Sequence, residues 1–129
     1  MRRTLCVLLA CLASASAGCS APARVGTVTG SPSWAHGLPV IAADRLPPQA
    51  RRTLHLIDAG GPYPYPQDGA VFADYEGALP REPRGYYHEY TVPTPGSRDR
   101  GARRIVTGEH HETYYTDDHY RSFKAVTGG

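Results

Sequence analysis

One amphipathic helical segment, followed by several short runs of β-forming residues, constrains this chain most. Apolar residues recur at helical spacing on one side of the segment, while Arg51 and Asp58 fall elsewhere. The apolar positions are Leu46, Ala50, Leu54 and Ile57. Proline is tolerated in a first helical turn, and Gly60 is a typical residue to end a helix. The pattern therefore predicts a helix over residues 47–59.

The β-forming runs are rich in Tyr, Val, Ile, Thr and Phe, and turn residues separate them. They occupy residues 70–72, 86–92, 103–107, 113–116 and 120–126. A helix followed by closely spaced short strands is typical of an α+β domain. We therefore predict one N-terminal helix packed on a twisted antiparallel sheet.

The first 19 residues have the composition of an export signal. Arg2 and Arg3 precede an apolar stretch, residues 4–13, that is too short to span a bilayer. Residues 15–17 (ASA) fit a signal-peptidase site and predict a secreted protein. Residues 16–19 (SAGC) also resemble a bacterial lipobox, in which case Cys19 would anchor the protein to the envelope through a lipid. Both modes of processing remain open.

Residues 20–41 are rich in Ser, Ala, Gly and Pro, which predicts a flexible linker. Trp34, the only tryptophan, is interpreted as a loosely held linker residue. The folded domain is then expected over residues 42–129, without a transmembrane segment.

The composition of the expected domain limits both its stability and its partners. All three cysteines lie at or before residue 19, so the domain has no internal disulfide and depends on its core. Of the 14 Lys and Arg residues, Arg2 and Arg3 leave with the signal, and the 12 that remain equal the 12 Asp and Glu. This balance does not support a globally basic nucleic-acid binder, and the local placement of charge matters more.

Two single residues are candidates for acid–base chemistry. Glu89 lies in the middle of an aromatic strand, with Tyr87 and Thr91 on the same face. It is either a solvated residue on an open sheet face or a general base. His119 follows a polar turn and is either an ordinary surface histidine or a proton donor, since histidine titrates near neutrality.

Basic residues cluster between these two candidates. Arginines at positions 98, 100, 103 and 104 stand against one aspartate. If Ile105 is in the core, Arg104 lies on the open face, where it would stand beside Glu89 if the strands pair. Guanidinium groups there could bind a phosphate through two hydrogen bonds. The histidines and acids of residues 109–119 match no established zinc spacing, so we predict no metal and no cofactor.

These residue types together suit metal-free cleavage of RNA. A carboxylate would remove the proton from the ribose 2′-hydroxyl, and an imidazolium would protonate the departing 5′ oxygen. Arginines would stabilise the charge that gathers on the phosphoryl oxygens. DNA lacks the 2′-hydroxyl and cannot react in this way.

Several segments resemble the microbial guanyl-specific ribonucleases, above all the secreted actinobacterial, barnase-related type. They are FADYEGALP, GYYHEYTVPTPGSRDRGARRIVTG, YYTDDHY, LPPQARRTLHLI and GPYPYPQDG, which together span roughly residues 46–125. The resemblance implies the microbial ribonuclease fold and a monomer. It also implies cleavage of single-stranded RNA 3′ of guanosine through a 2′,3′-cyclic phosphate, which is then hydrolysed to a 3′-phosphate.

The resemblance also implies roles for individual residues. Glu89 matches the family's general base and His119 its general acid, while Arg100 and Arg104 match its phosphate-binding arginines. Tyr120 matches a tyrosine that lines the phosphate and base pocket.

The implied base pocket follows the strand that ends at Phe72. Glu76 matches the carboxylate that accepts hydrogen bonds from the guanine edge, and backbone amides of residues 73–75 would donate to guanine O6. This loop departs from the family pattern, because Asp74 replaces the usual Asn and because Ala73 and Tyr75 replace polar residues. An extra carboxylate beside the base pocket is expected to weaken the binding of an anionic ligand.

Two other functions share these sequence features. A non-catalytic binding module could retain the fold, although it would need no acid–base pair. A toxin acting on other cells would share the chemistry and differ in destination. For the secreted ribonuclease and for the toxin alike, the resemblance implies a small acidic inhibitor of the barstar type. The basic patch around Arg100 is a candidate surface for this inhibitor.

Overall fold

The computed structural model describes residues 30–128, which form one helix, six strands and two short 3₁₀ turns. The strands are β1 (Val40–Ala42), β2 (Ala70–Phe72), β3 (Tyr87–Thr91), β4 (Arg104–Thr107), β5 (Thr113–Thr116) and β6 (Lys124–Thr127). The helix α1 spans Pro48–Ala59, and the 3₁₀ turns are Ser33–Ala35 and Ala43–Arg45.

The six strands form a single sheet in the order β1-β6-β5-β4-β3-β2. Strands β2 to β6 pair antiparallel with their neighbours, whereas β1 pairs parallel with β6. The predicted α+β class and the helix-on-sheet architecture are therefore confirmed, with one parallel edge strand added.

Both faces of the sheet carry a hydrophobic core, because adjacent residues of the central strands are buried on opposite sides. On the helix side, Ile105 packs with Leu46 and Ala50. On the other side, Val106 packs with Tyr87 and with side chains from the loops. The expectation of an open second face was therefore wrong, since loop residues such as Leu79 and Phe123 cover it.

The helix begins and ends where the sequence predicts, within one residue. Gly60 closes it with a left-handed φ of 74°, and its amide donates to the carbonyl of Ile57. Thr53 of this helix is buried, and its hydroxyl donates a hydrogen bond of 3.1 Å to the carbonyl of Thr91 on β3. This bond ties the helix to the strand that carries Glu89.

The predicted linker was wrong for its described part. Ala35 is fully buried, and the Trp34 ring meets the Tyr114 ring edge-on with 5.6 Å between centroids. The Tyr114 hydroxyl also donates to the carbonyl of Trp34. Residues 40–42 then form β1. A three-residue strand that pairs with the far end of the chain leaves no local alternation to recognise. The predicted signal peptide, lipobox and residues 20–29 lie outside the described residues.

The last predicted strand, residues 120–126, begins four residues later than expected. Both His119 and Tyr120 have left-handed backbone conformations, with φ of 58° and 70°, which a strand cannot contain. They form a turn, and β6 starts at Lys124. Over residues 30–128, no helix combines the length and apolar character that crossing a membrane requires.

Candidate active site

Glu89 lies on β3, and its carboxylate is the centre of a polar cluster on the loop-covered face. It sits opposite Val106 of β4, and its side chain is 14% exposed. One carboxylate oxygen is 3.1 Å from Nη2 of Arg100, and the other is 4.0 Å from Nε of Arg104. The Tyr120 hydroxyl donates to this second oxygen. The carboxylate is thus surrounded by donors, and its negative charge is compensated by two cations.

The two arginines beside Glu89 are held differently. Arg100 comes from the loop before β4, and its Nε donates to Oγ1 of Thr91 at 3.0 Å. Its side chain is 23% exposed, so its guanidinium group is accessible from solvent.

Arg104 is almost completely buried, with 4% of its side chain exposed. Its Nη1 donates to the carbonyls of Arg103 at 2.8 Å and Gly101 at 3.0 Å, with a longer contact to Arg100. Burial, followed by the nearby charge of Arg100, lowers the pKa of Arg104, and Glu89 opposes this shift. Its Nε is buried and has no hydrogen-bond partner among the described residues. This donor therefore retains capacity for an additional acceptor.

His119 is presented by the turn between β5 and β6. The Asp118 carboxylate accepts hydrogen bonds from the Thr116 hydroxyl and from both the amide and the hydroxyl of Ser122. The His119 amide donates to the carbonyl of Ala102 at 3.1 Å, which joins this turn to the arginine loop. The imidazole itself is exposed. Backbone hydrogen bonds therefore fix its position while the ring faces solvent.

The loop after β2 forms the other wall. Asp74 has a φ of 47°, and its carboxylate accepts the amides of Ala78 at 3.0 Å and Leu79 at 3.2 Å. Burial raises the pKa of Asp74 despite these two donors. The carboxylate therefore points to the loop backbone and holds the loop in its conformation.

Aromatic and polar side chains of this loop frame an open cavity of about 440 Å³. The Phe72 and Tyr120 rings stack at 4.8 Å between centroids. Tyr75 is 91% exposed, and Glu76 is also exposed. The lining residues are Val71, Phe72, Ala73, Asp74, Tyr75, Glu76, Arg84, Glu89, His119 and Tyr120.

The cavity brings together eight of the ten residues singled out from the sequence. Arg100 and Arg104 do not line it, but both guanidinium groups lie within 4.0 Å of the Glu89 carboxylate. Two lining residues were not singled out from the sequence, namely Val71 and the charged residue Arg84. Arg84 lies in the turn-rich segment PREPRG before β3, and only its position directly before the Glu89 strand could have drawn attention to it.

The groups at this cavity can transfer protons and bind an anionic ligand. A carboxylate, an imidazole and two guanidinium groups converge next to a stacked aromatic pair. Within residues 30–128, no group of three or more His, Cys, Asp or Glu side chains is placed to hold a metal ion. A separate cavity of about 560 Å³ near the helix end contains none of the predicted residues.

A helix on an antiparallel sheet, with this cluster beside an aromatic cavity, places the chain in the class of small α+β acid–base enzymes. The family model described as ribonuclease matches residues 30–127. The chain therefore belongs to the ribonuclease family.

Curated relatives refine this assignment. Guanyl-specific ribonuclease Sa3 of Kitasatospora aureofaciens is 65% identical over 82 residues, which cover 63% of this chain and 58% of that protein. Guanyl-specific ribonuclease St of Saccharopolyspora erythraea is 61% identical over 79 residues, covering 61% of this chain and 78% of that protein. Guanyl-specific ribonuclease Sa of Kitasatospora aureofaciens is 55% identical over 87 residues, covering 67% of this chain and 91% of that protein.

Solved structures support the same fold. Ribonuclease Sa2, determined in complexes with mononucleotides, superposes with a TM-score of 0.70 at 50% identity, covering 70% of this chain and 95% of that one. A structure of the same enzyme with 3′-GMP has a TM-score of 0.65 at 48% identity, covering 69% of this chain and 96% of that one.

Proposed function

We propose that this protein is an endoribonuclease that cleaves single-stranded RNA 3′ of guanosine. The reaction would pass through a 2′,3′-cyclic phosphate and end in a 3′-phosphate. The main support is the shared cavity, in which Glu89 and His119 lie beside the loop that follows Phe72. The guanyl-specific names of the relatives add independent support for the base preference.

In this proposal Glu89 is the general base. Its carboxylate is positioned by Arg100 at 3.1 Å and by the Tyr120 hydroxyl, so it has a fixed direction. It would take the proton from the ribose 2′-hydroxyl, whose oxygen then attacks the adjacent phosphorus. A substrate phosphate would accept hydrogen bonds from Arg100 and from the free Nε of Arg104, which stabilise the charge of the transition state.

His119 is the general acid in this proposal. The imidazolium would protonate the departing 5′ oxygen, and in the second step the neutral ring would activate a water molecule. Its exposure allows this exchange of protons with solvent, while the hydrogen bond from its amide to Ala102 fixes the backbone.

The loop after β2 would hold the guanine base. Phe72 and Tyr120 provide aromatic faces, and single-stranded RNA is commonly read by stacking and by hydrogen bonds to the Watson–Crick edge. The Glu76 carboxylate would accept from guanine N1–H and the exocyclic amine, while amides of residues 73–75 donate to O6. Adenine lacks these donors and would leave Glu76 without partners.

Cleavage of dinucleotides tests this proposal. The protein is expected to cleave GpU much faster than ApU, to leave 2′-deoxy-GpU intact and to be unaffected by EDTA. Chromatography should show guanosine 2′,3′-cyclic phosphate before 3′-GMP. Direct formation of 3′-GMP would refute the mechanism, and equal cleavage of GpU and ApU would refute the role of Glu76.

We also propose that the protein is a secreted monomer, whose signal peptide lies within residues 1–19 and is cleaved after Ala17. Mass spectrometry of the exported protein should find an N-terminus close to residue 18, and light scattering should give one chain. A lipid on Cys19 would instead establish the envelope-anchored form.

An acidic inhibitor of the barstar type is the protein partner that we propose. The basic loop that carries Arg98, Arg100 and Arg103 would dock it, because complementary charge speeds and orients association. Competition between such an inhibitor and 3′-GMP would support this surface, and simultaneous binding of both would refute it.

A further inference from the structure

A second cavity, of about 650 Å³, adjoins the candidate active site. The two cavities share the loop after β2 and the side chain of Arg84. The second one is not lined by Glu89, His119 or Tyr120. It therefore extends away from the acid–base pair, on the far side of the base-binding loop.

If the proposed function holds, the direction of the RNA chain determines which part of the substrate lies in the second cavity. The scissile phosphate, 3′ of guanosine, must lie at Glu89, and the departing nucleotide must leave past His119. The 5′ side of the guanosine then has to leave the active site elsewhere. The second cavity adjoins the active site at Arg84 and is not lined by Glu89 or His119, so it offers a path for this 5′ segment.

The chemistry of Arg84 suits a phosphate. Its side chain is exposed, and among residues 30–128 it makes no ion pair within 4.0 Å. An arginine can bind phosphate oxygens through two parallel hydrogen bonds. Arg81 adds a second positive charge farther along the same cavity.

Three carboxylates line the second cavity and must be considered against this reading. The Asp74 carboxylate is engaged by the amides of Ala78 and Leu79. Glu76 is assigned to the guanine edge. Glu82 opposes Arg81 and Arg84, and the charged side chains of the cavity sum to −1. A phosphate would therefore be held there by direct contact with Arg84 and not by the overall charge of the cavity.

We propose that Arg84 binds the phosphate directly 5′ of the recognised guanosine, and that the second cavity accommodates the RNA upstream of it. The enzyme would then hold its substrate at two successive phosphates, one on each side of the guanosine. Longer RNA would be bound more tightly than a dinucleotide, which has no phosphate at the 5′ position.

Calorimetric binding of two small ligands tests this subsite without requiring turnover. Guanosine 3′,5′-bisphosphate and 3′-GMP differ only in the 5′ phosphate. The wild-type protein should bind the bisphosphate about fivefold more tightly at 0.1 M salt, the gain expected from one solvent-accessible charge pair. In Arg84→Gln the ratio of the two dissociation constants should fall to about one.

The matched control is Arg52→Gln, which removes the same charge from an exposed position on α1. Its ratio should equal the wild-type value, because Arg52 lines neither cavity and salt at this concentration screens exposed charges beyond about 10 Å. A ratio that falls equally in both variants would show a general charge effect and would overturn the proposal.

Three further results would also overturn it. They are a wild-type ratio of one, an Arg84→Gln ratio unchanged with both affinities unchanged, and an Arg84→Gln ratio unchanged with both affinities weakened, which would mean that Arg84 acts on the shared part of the two ligands. Failure of the proposed function would appear separately, as absence of GpU cleavage by the wild-type protein.

Discussion

The two arginines beside Glu89 should differ sharply in what they contribute to stability, although both are expected to bind the substrate phosphate. We compare Arg104→Ala with Arg100→Ala. Arg104 is 3% exposed and donates to carbonyls on its own loop, whereas Arg100 lies closer to solvent. The first side chain therefore holds the loop together, and the second is more accessible to a ligand, with 23% of its side chain exposed.

The expected loss for Arg104→Ala follows from its hydrogen bonds. Nη1 makes two well-placed bonds, at 2.8 Å to Arg103 and 3.0 Å to Gly101. Buried hydrogen bonds from a charged donor contribute about 1.5 kcal/mol each, so the free energy of unfolding should fall by about 3 kcal/mol. Loss of the ion pair with Glu89 lowers the stability of Arg104→Ala further. Removal of the repulsion between Arg104 and Arg100 raises it, and thereby offsets part of that loss.

The expected loss for Arg100→Ala is smaller. Its bond to the Thr91 hydroxyl contributes about 1 kcal/mol. Its ion pair with Glu89 adds at most about 1 kcal/mol, because solvent screens a partly exposed pair. Removal of the repulsion from Arg104 reduces the total, so we expect a loss of about 1 kcal/mol.

Urea unfolding and dinucleotide cleavage together test this difference. In a domain of this size, about 1 kcal/mol corresponds to roughly 4–8 °C in Tm, so the two variants should be clearly separated. Both should lose about 10²-fold to 10³-fold in kcat/KM on GpU, measured well below either Tm, because each removes a donor to the transition state. Equal destabilisation by the two substitutions, or a wild-type midpoint for Arg104→Ala, would refute the reasoning.

Three further predictions concern single carboxylates. Glu89→Gln should lower kcat/KM on GpU by about 10²-fold to 10⁴-fold, because the general base is lost. Asp74→Asn should raise stability at neutral pH, since burial raises the pKa of Asp74 and thereby penalises its ionised form in the folded state. The gain should fade as pH falls through the raised pKa toward the ordinary value of 3.8, and it should be gone below 3.8, where the wild-type carboxyl is protonated in both states. Asp118→Asn should lower stability at neutral pH, because hydrogen bonds from Ser122 lower the pKa of Asp118 to about 2. The difference in stability between Asp118→Asn and the wild-type protein is complete above pH 3.8 and should disappear as pH falls through about 2.

Each of these predictions has its own control. Glu109→Gln removes an exposed carboxylate outside the cavity and should keep wild-type cleavage. Urea midpoints measured from pH 2 to pH 7 check the two Asp variants. A stability difference for Asp74→Asn that grows toward low pH would reverse the assigned sign, and a pH-independent difference for Asp118→Asn would argue against its lowered pKa.

Local sequence patterns predicted most of the fold, because helices, turns and most of the strands depend on residues that are close in the sequence. The helix was found within one residue, since its apolar spacing and its terminal Gly60 are local signals. Strands β2 and β5 were predicted with the bounds observed. Strand β1 was missed because its pairing with β6 joins residues about 85 positions apart, as Val40 opposite Ala125 shows, and nothing near residue 40 encodes that partner.

The candidate site was likewise predicted only in part from the sequence. Residue types and family motifs selected Glu89, His119 and the two arginines, but they could not show which arginine is buried. The difference arises because Arg104 begins β4 with its side chain toward the covered face, whereas Arg100 lies in the preceding loop.

The sequence by itself thus determined the α+β class, the helix and the chemical groups available for catalysis, since these depend on side-chain type and on local spacing. The tertiary structure decided that Trp34 is part of the core, that the second sheet face is covered, and that the Asp74 carboxylate holds its own loop. It also brought Arg84 into the cavity. These features arise from contacts between distant segments, and chain folding alone brings such segments together.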